Sequence, residues 1–128
     1  KPFHGEGLVE KKKKKMQNII LVLLITCFGL TTQAQEKKNK NAKYDIEVNG
    51  NCEQCKKRIE KAAYSVSGVK SAIWNISDHN LHLILNEEKA SISDVKKAIA
   101  KVGHDTDEIK AQQEDYDNLH SCCKYERK

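Results

Sequence analysis

The sequence is poor in proline, in long apolar runs and in excess charge. Its single proline is Pro2, near the start of the chain. The longest apolar run, residues 19–30, has about a dozen residues, whereas a helix needs roughly 20 to span a bilayer. Residues 1–35 carry six lysines and two acidic residues, which is +4 of the net charge of +5. The remaining charge of about +1 argues against nucleic acid or a membrane surface as the partner.

The N-terminal part has the three regions of a secretory signal peptide. Five lysines, residues 11–15, precede the apolar run, and Thr32-Gln33-Ala34 supplies a small-x-small cleavage site before Gln35. We therefore predict a leader over residues 1–34 and export to the periplasm or another extracytoplasmic space. The alternative is a retained membrane anchor. After removal of the leader we expect no stable membrane insertion. Residues 35–43, which are polar and lysine-rich, predict a solvated linker.

Four cysteines follow the leader, as the pairs Cys52/Cys55 and Cys122/Cys123. An even number of cysteines in an exported protein first suggests disulfides. However, a C-x-x-C bridge closes a very small loop, and adjacent cysteines bridge only with strain. A long-range pairing, such as Cys55 with Cys122, stays open as an alternative.

Residues 44–111 show the periodicity of one α+β domain. Alternating apolar residues predict strands, and apolar stripes at helical spacing predict helices. Gly68 and Gly103 are expected to end the two helices, and Ser91 with Asp94 resembles a capping box. A short last strand is predicted from Thr106 to Lys110. The order β-α-β-β-α-β predicts a ferredoxin-like sandwich, in which two helices cover one face of a four-stranded antiparallel sheet. The strand residues that we expect to alternate are Tyr44, Ile46, Val48, Ala72, Trp74, Ile76, Leu81, Leu83 and Leu85, and the helical stripes contain Cys55, Ile59, Ala62, Ala63, Val66, Ile92, Val95, Ala98, Ile99 and Val102.

The C-x-x-C motif lies between the first predicted strand and the first predicted helix. The free N–H groups and the positive dipole end of a helix N-terminus stabilise thiolates, and residues 56–58 add three positive charges. Two thiolates favour a soft ion such as Cu(I), Zn(II) or Hg(II) over hard cations. Cys52 and Cys55 are therefore the predicted metal ligands.

Residues 48–63, VNGNCEQCKKRIEKAA, followed by Ser67-Gly68-Val69 and by Val102-Gly103-His104-Asp105, resemble a heavy-metal-associated domain. This family includes copper chaperones, mercury-binding periplasmic proteins and the metal modules of copper-pumping ATPases. The resemblance implies the ferredoxin-like fold and a metal on Cys52 and Cys55. It also implies docking to a metal-transporting ATPase or another metal-handling protein with a similar thiol motif. Two departures concern the metal site: the usual methionine before the first cysteine is missing, and His104 stands where an aromatic residue is common.

Further candidate ligands are His104 and, in a C-terminal tail over residues 112–128, His120, Cys122 and Cys123. His104 should lie near the Cys52/Cys55 loop, as a third ligand, as a group that tunes the thiolates, or as an exposed loop residue. The tail thiols are candidate soft-metal ligands, with a disulfide or an inert tail as the alternatives. Because the predicted last strand runs away from the metal end, the tail is expected to return only by folding back along the domain. His79 and His82 are predicted surface residues.

These features predict an exported, non-enzymatic protein that binds a soft metal as a chaperone or scavenger, with Cu(I) favoured. A carrier of Hg(II) or Zn(II) is the nearest alternative. A thiol-disulfide oxidoreductase would use the same C-x-x-C motif. Against that activity, no proline after Pro2 is available to face such a site, and Trp74 lies on a predicted strand instead of beside the motif.

Overall fold

The computed structural model describes residues 36–128. The predicted leader and its cleavage site fall outside the described residues. Within residues 36–128, no helix is both long and apolar enough to cross a membrane. The elements are β1 (Ala42–Glu47), α1 (Glu53–Tyr64), β2 (Val69–Trp74), β3 (Asn80–Leu85), α2 (Ile92–Lys101), α3 (Gln113–Asp117) and a 3-10 helix (Ser121–Cys123).

Strand β3 lies between β1 and β2 and runs antiparallel to both. Ile46 of β1 and Trp74 of β2 both face Leu81 of β3 across the sheet. Since side chains alternate along a strand, one face of the sheet collects the apolar residues. These pack with the apolar stripes of α1 and α2 into one core. His82 and Ile73 lie on the opposite, exposed face. The predicted α+β class is therefore confirmed.

The predicted fourth strand does not form within the described residues. Thr106 makes a single antiparallel bridge with Val48. It then closes a turn, in which its N–H and Oγ1 donate to the carbonyl of Ile109 at 2.8 and 2.9 Å. The Ile109 N–H donates back to Thr106 Oγ1 at 3.0 Å. A threonine side chain that bonds nearby backbone groups in this way competes with ladder formation. The chain consequently turns back at this end of the sheet, and the predicted path to the far end is wrong.

The predicted start and end of α2 are confirmed, whereas α1 ends at Tyr64, four residues before the predicted stop at Gly68. Ser91 and Asp94 form a capping box at the start of α2, with Asp94 N–H to Ser91 Oγ at 3.3 Å and Ser91 N–H to Asp94 Oδ2 at 2.9 Å. Gly68 and Gly103 have φ of +107° and +100°, a region that glycine adopts without a Cβ clash. A Cβ on Gly103 would also approach the Asp115 carbonyl oxygen to 2.6 Å. Gly103 therefore both stops α2 and lets the tail pack closely.

The tail packs against the domain at the end where β1 stops and α1 begins. Leu119, Cys123 and Tyr125 are buried and belong to the hydrophobic core. The hydroxyl of Tyr125 donates to the carbonyl of Gly103 at 2.8 Å and accepts from the N–H of Asp105 at 2.9 Å. The tail thus reaches the C-x-x-C end of the domain directly, because the turn at Thr106 keeps residues 106–109 at that end.

Candidate metal centre

The loop before the first cysteine is fixed by backbone hydrogen bonds and by a buried tryptophan. The N–H of Asn49 donates to the Asp105 carbonyl at 2.9 Å, and Trp74 Nε1 donates to the Val48 carbonyl at 3.1 Å. A Cβ on Gly50 would lie 3.0 Å from both Cys55 Cβ and the Trp74 ring, so glycine allows the close approach of the loop. These contacts hold the loop at the N-terminus of α1.

Cys52 and Cys55 occupy the start of α1, as the sequence predicts. Cys52 is the N-cap residue, and its carbonyl accepts from the N–H of Lys56 at 3.0 Å. Its sulfur is half-buried and lies 3.4 Å from the fully buried Cys55 sulfur. The N–H of Asn51 points at Cys55 Sγ across 3.4 Å. The Asn51 N–H therefore contacts Cys55 Sγ, and the Cys55 N–H contacts Cys52 Sγ.

The 3-10 helix of the tail brings two further sulfurs to this loop. Cys52 Sγ lies 3.4 Å from Cys123 Sγ and 3.7 Å from Cys122 Sγ. Cys52, Cys55 and Cys123 form a group whose sulfurs all lie within 4.8 Å of one another. Cys122 stands beside this group on the exposed side, where its thiol donates to Gln54 Oε1 at 3.2 Å.

The sulfurs differ in their tendency to ionise. Burial alone would raise the pKa of Cys52, but the Cys55 amide and the neighbouring thiols of Cys123, Cys55 and Cys122 lower it to about 7. Burial raises the pKa of Cys123, and the adjacent Cys55 and Cys52 sulfurs raise it further. A thiolate at Cys52 is therefore available near neutral pH, while Cys123 keeps its proton unless a metal ion replaces it.

Arg58 supplies positive charge beside the sulfur of Cys123. Its side chain faces Cys123 and opposes the rise in the pKa of that thiol. Arg58 Nη1 is buried and has no hydrogen-bond partner. A buried donor of this kind favours negative charge nearby, such as the charge of a thiolate cluster.

His104 is not an exposed loop residue, so that alternative is wrong. Its side chain is 0% exposed, its Nδ1 lies 2.7 Å from the Asn49 carbonyl oxygen, and its ring stacks on Tyr125 at 5.7 Å. Its Nε2 is buried without a hydrogen-bond partner. Burial lowers its pKa, and so does the charge of Arg58. His104 does not belong to the close group of sulfurs. It lies instead between the cysteine loop and the tail.

His120 is not brought to the sulfurs either, whereas the surface positions of two other histidines agree with the sequence. His120 is exposed and lines a groove of about 700 Å³ between α1 and α2. His82 is exposed on the outer face of the sheet. His79 is half-exposed in the β2–β3 turn and stacks on Trp74 at 5.8 Å.

An ion pair that sequence reasoning missed holds the tail in place. Asp105 is 3% exposed, and Arg127 donates to its two oxygens at 3.0 Å from Nε and 2.8 Å from Nη2. Arg127 Nη2 also donates to the Ala111 carbonyl. Burial alone would raise the pKa of Asp105, but the hydrogen bonds from Arg127 and from the Ala111 N–H hold it below its usual value. The only hint in the sequence is the charged Asp105, two residues after the glycine that ends α2.

The comparisons with known proteins agree with this geometry. Residues 46–105 match the heavy-metal-associated domain. The copper chaperone CopZ of Staphylococcus epidermidis is 33% identical over 61 residues, which cover 47% of this chain and 90% of that protein. The chain belongs to the heavy-metal-associated domain family.

Two solved structures of similar fold extend the comparison. One is the solution structure of the N-terminal domain of a potential copper-translocating P-type ATPase from Bacillus subtilis in the Cu(I)-loaded state. It has a TM-score of 0.50 and 31% identity, over 52% of this chain and 84% of that one. Oxidized MerP from Ralstonia metallidurans CH34 shares the fold, with a TM-score of 0.50 and 22% identity over 52% of this chain and 93% of that one.

The match to the heavy-metal-associated domain ends at Asp105, before the tail. Cys52 and Cys55 lie inside the matched residues, whereas Cys122, Cys123 and Arg127 lie beyond them. The tail therefore lies outside the matched domain, and it places extra sulfur at the C-x-x-C loop.

Proposed function

We propose that this chain is an exported Cu(I)-binding protein that holds a Cu(I) ion on the thiolates of Cys52, Cys55 and Cys123. The observation that carries the proposal is the close group of these three sulfurs. Three thiolates that each bind one ion at about 2.3 Å stand about 4 Å apart. The sulfurs therefore need little movement to close on an ion.

Copper is the metal that the donor set and the relatives support best. Soft thiolates select Cu(I), Zn(II) or Hg(II) over harder ions. Structural Zn(II) is almost always four-coordinate, whereas the close group among residues 36–128 offers three sulfurs. The relatives named as a copper chaperone and as a Cu(I)-loaded ATPase domain also favour copper. Hg(II) and Zn(II) remain competitors that the experiment below includes.

The burial of the sulfurs favours retention over rapid delivery. Cys55 and Cys123 are fully buried, and the tail packs over the same end of the domain. A thiol of a partner must displace a ligand to take the ion, so a covered third thiolate slows the exchange. We therefore propose a scavenger from which the metal module of a metal-transporting ATPase receives copper only after the tail is displaced.

The test is competition between the reduced protein and a Cu(I) chelator. We expect Cys52→Ser to abolish tight binding while the fold persists, because serine is a favourable N-cap residue at that position. Cys55→Ser should also abolish tight binding, with circular dichroism to check the fold, since Cys55 is buried. Cys123→Ser should weaken binding by at least about tenfold, which corresponds to roughly 1.4 kcal/mol.

Ser121→Ala is the matched control, since Ser121 is exposed in the same 3-10 helix and offers no sulfur. Parallel titrations with Zn(II) and Hg(II) identify the preferred metal. A Cys52→Ser protein with the affinity of the wild type would overturn the site. If the protein catalysed disulfide exchange and bound none of the three metals, the thiol-disulfide oxidoreductase would replace the proposed function.

A further inference from the structure

Cys122 is the one cysteine of the described chain outside the close group of sulfurs, yet it is not remote. Its Sγ lies 3.7 Å from Cys52 Sγ and 3.9 Å from Cys123 Sγ. It is not part of the group of sulfurs that all lie within 4.8 Å of one another. The distance that excludes it must therefore be the one to Cys55.

This distance prevents all four sulfurs from binding the same ion. Two sulfurs on one ion, each bound at about 2.3 Å, are at most about 4.6 Å apart. Cys55 and Cys122 are farther apart than that. The four sulfurs instead form two triangles, Cys52/Cys55/Cys123 and Cys52/Cys122/Cys123, that share the 3.4 Å edge between Cys52 and Cys123.

We propose that the second triangle binds a second Cu(I) ion, so that Cys52 and Cys123 bridge two copper ions while Cys55 and Cys122 are terminal ligands. The inference rests on the proposed function, because the first triangle is the site proposed above. With bonds of about 2.3 Å and the shared edge, the two ions stand about 3 Å apart. Each ion keeps its +1 charge, and the thiol protons displaced on binding pass to solvent.

The charge of the site permits the second ion. One Cu(I) with three thiolates carries a net charge of −2. A second Cu(I) that arrives with the thiolate of Cys122 adds +1 and −1, so the net charge stays the same. Arg58, whose Nη1 is buried without a partner, and the N-terminus of α1 face this charge in both states. The second ion therefore needs no positively charged protein group beyond those that already face the first.

The positions of the sulfurs also provide access. Cys122 is exposed and Cys52 is half-buried, whereas Cys55 and Cys123 are fully buried. The second triangle thus opens to solvent, and the first lies beneath it. Besides the neighbouring sulfurs, the Cys122 thiol has one hydrogen-bond partner, Gln54 Oε1. Its reorientation toward an ion therefore breaks one weak hydrogen bond.

The experiment measures copper stoichiometry in the reduced wild-type protein and in Cys122→Ser, with Ser121→Ala as the control. Native mass spectrometry of the Cu(I)-titrated wild type and of Ser121→Ala should show a monomer with two copper ions, and X-ray absorption should show a Cu–Cu vector near 3 Å. Cys122→Ser should hold one ion and lose the Cu–Cu vector.

One tightly bound ion in the wild type, unchanged by Cys122→Ser, would overturn the second site and leave the proposed function standing. A Cu–Cu vector found only in dimers would also overturn it, because the bridge would then lie between chains. A wild-type protein that binds no Cu(I) at all would instead overturn the proposed function itself.

Discussion

His104 joins the cysteine loop to the tail that covers it. Its Nδ1 contacts the carbonyl oxygen of Asn49, three residues before the C-x-x-C motif begins at Cys52, and its ring stacks on Tyr125. Burial lowers its pKa, and Arg58 adds to the effect, against the opposing influence of the Asn49 carbonyl and Asp105. The folded protein therefore holds His104 neutral, with Nδ1–H donating to the carbonyl and no partner for a proton on Nε2.

This burial predicts a loss of stability in mild acid. The unfolded chain binds a proton at His104 near pH 6.5, whereas the folded chain excludes it to lower pH. The unfolded state thus holds more protons below pH 6.5, and the free energy of unfolding falls as pH drops through that value. Urea unfolding of the reduced, metal-free protein at pH 7.0 and 5.5 should reveal the fall. His104→Asn, which keeps a donor for the Asn49 carbonyl, should reduce it.

The matched control for this prediction is His120→Asn, since His120 is exposed in the groove between α1 and α2. It should leave the pH dependence as in the wild type. Equal pH dependence in the wild type and in His104→Asn would show that His104 is not the group responsible.

At the scale of elements, the tail is held by its last residues as much as by its apolar side chains. Tyr125 bonds to the backbone of Gly103 and Asp105, and Arg127 pairs with the buried Asp105 carboxylate. The 3-10 helix that carries Cys122 and Cys123 lies between this anchor and α3. We therefore expect the position of the tail sulfurs to depend on an ion pair that does not contact them.

Arg127→Met should loosen the tail and weaken copper binding. It leaves Asp105 buried without its charged partner, which costs about 2 kcal/mol of folding free energy once the partial exposure of Arg127 is allowed for. Cu(I) affinity should fall toward that of Cys123→Ser, because Cys123 is no longer held beside Cys52. Chemical denaturation and chelator competition measure the two effects.

Lys128→Met, an exposed residue at the chain end, is the control for lost positive charge. If Arg127→Met destabilised the protein but kept full Cu(I) affinity, the ion pair would stabilise the fold without positioning the tail sulfurs.

At the scale of the whole molecule, the predicted leader and the covered thiols both concern how the cysteines stay reduced after export. Exported compartments are oxidising, and exposed thiols are readily converted to disulfides there. The burial of Cys55 and Cys123 reduces their access to oxidants, and bound copper would protect the sulfurs further. A covered site suits a protein that holds copper outside the cytoplasm.

Export predicts a processed N-terminus. Mass spectrometry of the protein recovered from the extracytoplasmic fraction should find a chain that starts at Gln35 or at a close neighbour. Ala34→Phe, which removes a small residue from the cleavage site, should retain the leader. Recovery of the wild type in the membrane fraction, with residues 19–30 intact, would show that this segment is an anchor.

The sequence by itself determined the features that depend on neighbouring residues. Gly103 stops α2, Ser91 caps its start, and the alternating apolar residues fix which face of each strand is buried. The closeness of Cys52 and Cys55 is also local, since a C-x-x-C motif at the start of a helix brings its two sulfurs together within a single turn. Each of these predictions involves residues a few positions apart.

Tertiary structure decided the rest, because the contacts join residues far apart in the chain. The turn at Thr106 replaces a strand that the pattern predicts, and it keeps the chain at the metal end. His104 is buried between Asn49 and Tyr125, which lie 55 and 21 residues away in the sequence. Cys52 and Cys122 lie 70 residues apart in sequence and 3.7 Å apart in space. No local pattern records that approach, since it arises from the packing of Leu119, Cys123 and Tyr125 into the folded core.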